Sequence, residues 1–114
     1  MGAITTHILD TARGRPAGGV PVLLEVHSAT QGWRVLARGH TDSDGRVKNL
    51  LPSGARLEPG TYRLTFDAAA YFRAQALESF FPEVSLVFSV RDAAQHYHVP
   101  LLLSPYGYTT YRGS

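Results

Sequence analysis

Turn-forming residues punctuate this chain so often that long helices have no room between them. Gly14, Pro16, Gly18 and Gly19 fall within one short stretch, and Gly32 follows. Asp42-Ser43-Asp44-Gly45 comes next, then Pro52–Gly54 and Pro59-Gly60. Such spacing predicts many short strands.

The runs between the turns alternate with period two, as half-buried strands do. Ile4, Thr6 and Ile8 share one face of Ile4–Asp10, leaving Thr5, His7 and Leu9 on the other. Val20, Val22, Leu24 and Val26 do the same in Val20–Ser28, as do Tyr62, Leu64 and Phe66 in Thr61–Asp67. Val84, Leu86, Phe88 and Val90 repeat the scheme. In His96–Ser104 the apolar face is Tyr97, Val99, Leu101 and Leu103, and His96, His98, Pro100 and Leu102 lie opposite. Trp33–Thr41 and Arg46–Leu51 flank Asp44-Gly45, a dipeptide suited to left-handed turn backbone, so a hairpin is predicted there. One helix is predicted over Ala68–Leu77, opening on three alanines with Asp67 as its N-cap. Seven or eight strands with one short helix make an all-β sandwich whose inner faces take the apolar sets.

At 114 residues, a single domain spanning 1–114 is expected. The absence of cysteine rules out disulfides, thiolate metal sites and a cysteine nucleophile. No apolar run approaches the roughly 20 residues that cross a bilayer, so no membrane role is expected. The net charge of +2 is scattered rather than gathered into a basic block, which argues against a nucleic-acid partner. Met1-Gly2 with Thr6 fits an acylation pattern, but Ile4–Asp10 reads at once as a strand. No signal-peptide pattern precedes it, so the cytosol is the expected compartment.

Two histidines stand out because alternation turns both away from the core. His7 and His98 share their outward faces with Leu9 and Leu102, and apolar residues on an outer face point to subunit association. His27 and His40 read as ordinary surface residues. His96-x-His98 has the spacing of a metal clip, but no further compact ligand group accompanies it, so neither metal nor cofactor is expected. The segment from Tyr106 to Ser114 is rich in tyrosine and strand-prone, as interface segments are. No G-x-S-x-G elbow is present for serine hydrolysis.

Several segments together resemble the transthyretin-like family. They are Thr5-Thr6-His7-Ile8-Leu9-Asp10, Gly14-Arg15-Pro16-Ala17, Asp44-Gly45-Arg46, and the run from His96 to Pro105, His-Tyr-His-Val-Pro-Leu-Leu-Leu-Ser-Pro. The terminal Tyr111-Arg112-Gly113-Ser114 resembles the signature of that family's hydrolases, as distinct from its hormone carriers. The resemblance implies a sandwich of two four-stranded sheets with one short helix. It further implies a homotetramer with active sites where dimers meet, and a small-molecule substrate. The implied reaction is hydrolysis of 5-hydroxyisourate, a product of urate oxidation, without metal or cofactor. Carried over by motif, His7, Arg46 and His98 are the catalytic positions, and Tyr111, Arg112, Gly113 and Ser114 bind substrate.

Imidazole suits deprotonation of the attacking water near neutral pH, and guanidinium suits the oxygen that becomes negative. The residues leave open which histidine is the base, and whether Ser114 offers its hydroxyl or a terminal carboxylate. A carrier of the transthyretin type is the alternative reading, although such a channel would want apolar walls rather than paired histidines with arginine. A purely structural sandwich would leave His7, His98 and Arg46 without a task.

Overall fold

The structure is a computed structural model that describes residues 2–114. Met1, where the acylation pattern begins, lies outside the described residues. Two sheets face each other. The first is built on β1 (Ala3–Asp10) and β8 (His96–Ser104), which pair in parallel with Thr5 beside His98 and His7 beside Pro100. β9 (Gly107–Thr110) pairs antiparallel with the far edge of β8. Two short strands share the other edge of β1: β2 (Arg15–Pro16) beside Leu9 and Asp10, and β5 (Arg46–Val47) beside Thr6 and His7. This sheet therefore has five strands, one more than expected, because β5 adds a two-residue rung. The second sheet runs in the order β4 (Gly32–His40), β3 (Pro21–Ser28), β6 (Gly60–Phe66), β7 (Val84–Val90), all antiparallel.

Alternation builds the core as expected. Ile4, Ile8, Leu101 and Leu103 from the first sheet meet Leu24, Leu64, Phe66 and Val84 from the second, all essentially inaccessible to water. Burying each of these side chains is worth about 1.5–3 kcal/mol, so they are what holds the sheets together. A bulge opposite Leu24 and Glu25 inserts Leu36 into β4, while β3 keeps its alternation and its register with β6. Beside the bulge Glu25 is buried on the outer face, where the Arg63 Nε donates to its Oε1 at 2.9 Å and the Arg63 guanidinium lies 4.2 Å over the Trp33 ring.

The helix is shorter than expected: α1 spans Ala68–Arg73. Asp67 caps it by accepting from the Ala70 amide at 2.9 Å. It stops early because Ala76 takes a left-handed φ of 58°, and the Leu77 amide donates back to the Phe72 carbonyl at 3.0 Å, a closure of the Schellman kind. Phe72 enters the core, and Tyr71 donates from its hydroxyl to the wholly buried Asp10 carboxyl at 2.7 Å.

The expected hairpin across Asp44-Gly45 does not form. β4 pairs with β3, whereas β5 pairs with β1 in the other sheet. The dipeptide supplies a left-handed residue, Gly45 at φ 73°, but the chain uses it to cross between sheets. The strand expected over Arg46–Leu51 is also confined to Arg46–Val47. Asn49 accepts from the Leu51 amide at 3.1 Å and turns the chain, while the Leu50 amide still reaches the Ile4 carbonyl at 2.9 Å. Among the described residues no helix is long and apolar enough to cross a membrane.

Candidate active site

The residues expected to be catalytic lie along the outer face of the first sheet, and β1 is its axis. Period two turns Thr5 and His7 outward while Ile4, Thr6 and Ile8 are buried. β8 does likewise, turning His98 outward between buried Tyr97 and Val99. Because the two strands run parallel with Thr5 opposite His98, the Thr5 hydroxyl and the His98 Nδ1 come within 2.7 Å.

Arg46 arrives from the opposite side of β1, directly beside His7. The preceding turn aims it. The Asp42 carboxylate accepts from the amides of Asp44 at 2.9 Å and Arg46 at 3.0 Å, and the Asp42 amide donates to the Arg46 carbonyl at 2.9 Å. The bond from the Arg46 amide holds the Asp42 carboxyl below the usual carboxylate range. Gly45 is obligatory here. Its φ is left-handed, and a Cβ on it would stand 2.4 Å from the Ile8 carbonyl oxygen, while its own carbonyl accepts from the Ile8 amide at 2.8 Å.

The tail closes the third side. Leu101 pairs with Thr110, and His98 pairs with Gly113 in the same register. Between them the ladder is interrupted at Pro100, which has no amide hydrogen to offer the tail. The Thr110 hydroxyl instead donates to the Pro100 carbonyl at 2.8 Å. At Gly113 the tail amide donates to the His98 carbonyl at 2.9 Å. A Cβ at Gly113 would lie 2.6 Å from the His98 Cδ2, so only glycine lets the tail lie against that ring.

His7, Arg46, His98 and Gly113 are thus gathered on one face by four stretches of chain, β1, β5, β8 and the tail. Tyr111 is 56% exposed at the register position opposite Pro100, and Ser114 is exposed beside Gly113. Arg112 lines the cleft beside His98 together with Tyr111. Its guanidinium lies 4.7 Å from the Tyr97 ring centre and donates to the Gln95 Oε1 at 2.8 Å. Tyr97 belongs to the core face of β8, so Arg112 ties the tail to the opposite side of the strand. Thr5 is the site residue that the sequence motifs alone did not single out. Its outward phase beside His7 was the available signal.

Electrostatics distinguish His98. Burial, reinforced by the positive Arg46 and by His7, pushes its pKa below the ordinary imidazole value. The ring is therefore neutral at pH 7, with one nitrogen engaged by Thr5 and the other free of hydrogen bonds among the described residues. A cleft of about 260 Å³ opens beside His98 between β7 and the tail, with Val87, Phe88, Tyr97 and Tyr111 in its walls. A larger hollow of about 550 Å³ lies on the outer face of the second sheet, with Arg38, His40, Arg73 and Glu83 in its walls. None of the outward groups of β1 and β8 reaches it. Among the described residues no group of three or more His, Asp or Glu side chains converges to hold a metal ion.

Neutral imidazole, a second imidazole and a guanidinium around one patch can move a proton and stabilise a developing negative charge without further help. Comparison with known proteins finds both hydrolases and a transthyretin. The 5-hydroxyisourate hydrolase of Salmonella dublin is 50% identical over 111 residues, covering 97% of this chain and 80% of that protein. The structure of Klebsiella pneumoniae 5-hydroxyisourate hydrolase superposes with a TM-score of 0.85 at 38% identity, covering 98% of this chain and 99% of that one. Sea bream transthyretin in complex with thyroxine superposes at 0.88 with 34% identity, covering 97% of this chain and 94% of that one. The profile of the HIUase/Transthyretin family matches residues 4–113, and the chain belongs to that family.

Proposed function

We propose that this protein is a cytosolic hydrolase that opens the ring of 5-hydroxyisourate to 2-oxo-4-hydroxy-4-carboxy-5-ureidoimidazoline. One observation carries the reading: β1, β5, β8 and the tail put His7, Arg46, His98 and Gly113 on one outer face. The identity with hydrolases of that name supports the choice of substrate over a carried hormone.

The chemistry is addition of water to a ring carbonyl followed by loss of the ring nitrogen. One imidazole takes a proton from the water as its oxygen bonds to the carbonyl carbon. The Arg46 guanidinium stabilises the oxygen that becomes negative, a task commonly worth about 3–4 kcal/mol per donor. The carbon–nitrogen bond then breaks, and the nitrogen recovers a proton from an imidazole. Tyr111, Arg112, Gly113 and Ser114 line the approach and bind substrate, and the contacts of Arg112 with Tyr97 and Gln95 also hold that segment down. Every step is a proton transfer or a polar bond change, so no metal or cofactor is called for.

The outer face is open in one chain, with half-exposed Leu9 and Leu102 side by side across β1 and β8. That favours a homotetramer whose dimers meet over this face and enclose the substrate. The decisive experiment generates 5-hydroxyisourate from urate with urate oxidase, adds this protein and follows the absorbance of the intermediate. Accelerated decay supports the reading, and decay matching buffer alone ends it. Light scattering behind size exclusion tests the tetramer.

A further inference from the structure

The contact between Thr5 and His98 separates the roles of the two histidines. The Thr5 hydroxyl has a single hydrogen-bond partner among the described residues, the His98 Nδ1 at 2.7 Å. A hydroxyl carries one hydrogen, and a neutral imidazole has one protonated and one bare nitrogen. If Nδ1 carried the ring proton, the Thr5 hydrogen would be left without an acceptor among the described residues. If the hydroxyl donates instead, its hydrogen and the bare Nδ1 satisfy one another, and the ring proton must sit on Nε2.

We propose that Thr5 is a positioning residue that donates to the His98 Nδ1 and so fixes His98 with its Nε2–H towards the substrate, as a hydrogen-bond donor rather than a base. This rests on the hydrolase reading and deepens it. The surrounding groups fit the assignment. Burial first, and then Arg46 and His7, disfavour a positive charge on His98, so it stays a neutral donor at pH 7. Gly113 lies against the ring and limits its rotation, with a Cβ-equivalent position only 2.6 Å from Cδ2.

The proton traffic then belongs to His7. No hydrogen bond occupies its ring among the described residues, and it stands beside Arg46 across β1 and β5. His7 takes a proton from water while the water oxygen bonds to the carbonyl carbon. The carbonyl oxygen becomes negative between the Arg46 guanidinium and the His98 Nε2–H. When the carbon–nitrogen bond breaks, the nitrogen receives the same proton back from His7. One water is added across one bond, and both imidazoles end neutral.

The test uses the intact wild-type chain with Thr5→Val and Thr5→Ser. Proton–nitrogen correlation spectra at neutral pH, without substrate, read which nitrogen of His98 is protonated. Wild type and Thr5→Ser are expected to show Nε2–H, and Thr5→Val a mixture. Nδ1–H in the wild type overturns the proposal. With 5-hydroxyisourate, Thr5→Val should lower kcat roughly tenfold, the worth of one neutral hydrogen bond, at nearly unchanged KM. Thr5→Ser should restore most of the loss, and a wild-type kcat in Thr5→Val also overturns it. If the wild-type chain leaves 5-hydroxyisourate untouched, the hydrolase reading fails, while the spectra still decide the tautomer.

Discussion

The amide of Gly113 donates to the carbonyl of His98 at 2.9 Å, and its Cα rests against the imidazole so closely that a Cβ would stand 2.6 Å from Cδ2. Backbone pairing and ring packing therefore meet at one residue. Gly113→Ala should push either the ring or the tail aside by a fraction of an ångström to an ångström. A displacement of that size costs up to about 10²-fold in rate. The thermal midpoint should barely move, because Gly113 lies outside the core. Steady-state kinetics beside a melting curve check both, and a normal kcat would show that the tail is not part of the site.

Arg46→Ala should lower kcat by about 10²–10³, the usual effect of removing one donor to an oxyanion. It should also raise the pKa of His98, because a positive neighbour that opposes its protonation is gone. Burial, the larger cause, remains, so the pKa stays below the ordinary value. Titration of the imidazole signals by NMR measures the shift, and a downward shift would contradict the placement of Arg46.

The same depression makes the fold sensitive to acid. Folded His98 gives up its proton at a lower pH than an unfolded histidine with its pKa of about 6.5. Between those two values the unfolded chain binds more protons, so stability rises with pH and falls as the solution is acidified. His98→Asn removes this contribution. Urea midpoints at pH 7 and pH 5 should therefore fall further in the wild type than in the variant.

Tyr71→Phe tests the anchor between α1 and β1. Asp10 is 0% exposed, and its carboxyl accepts from the Tyr71 hydroxyl at 2.7 Å and from the amides of Ala12 and Arg13 at 3.1 and 3.0 Å. Losing the hydroxyl leaves a buried acceptor short of a donor, at a cost of about 1–3 kcal/mol. Denaturant unfolding should register that loss while kcat stays normal.

Much of this architecture can be read in the sequence because period-two alternation is a local property. It separates Ile4 and Ile8 from His7, and Tyr97 and Val99 from His98, without knowledge of any partner strand. What alternation lacks is register. That Arg46 lands beside His7 depends on β5 joining β1, whereas Asp44-Gly45 specifies only the handedness of a turn. A hairpin and a crossing between sheets need the same dipeptide, and the hydrogen bond from the Ile8 amide to the Gly45 carbonyl, with the pairing of β5 on β1, decides between them. The tail shows the same limit. Tyr111, Arg112, Gly113 and Ser114 are contiguous in a motif, yet extended backbone sends Arg112 to Tyr97 and Gly113 to His98.

The parallel union of β1 with β8 has a consequence for biosynthesis. Ala3 pairs with His96 and Asp10 with Leu103, so β1 leaves the ribosome 93 residues ahead of the strand it pairs with. Until that strand emerges, one flank of β1 offers bare amides and carbonyls, a template for stray strands from other nascent polypeptides. Slow translation or premature termination ahead of residue 96 should thus yield aggregates rather than a weakly active fragment.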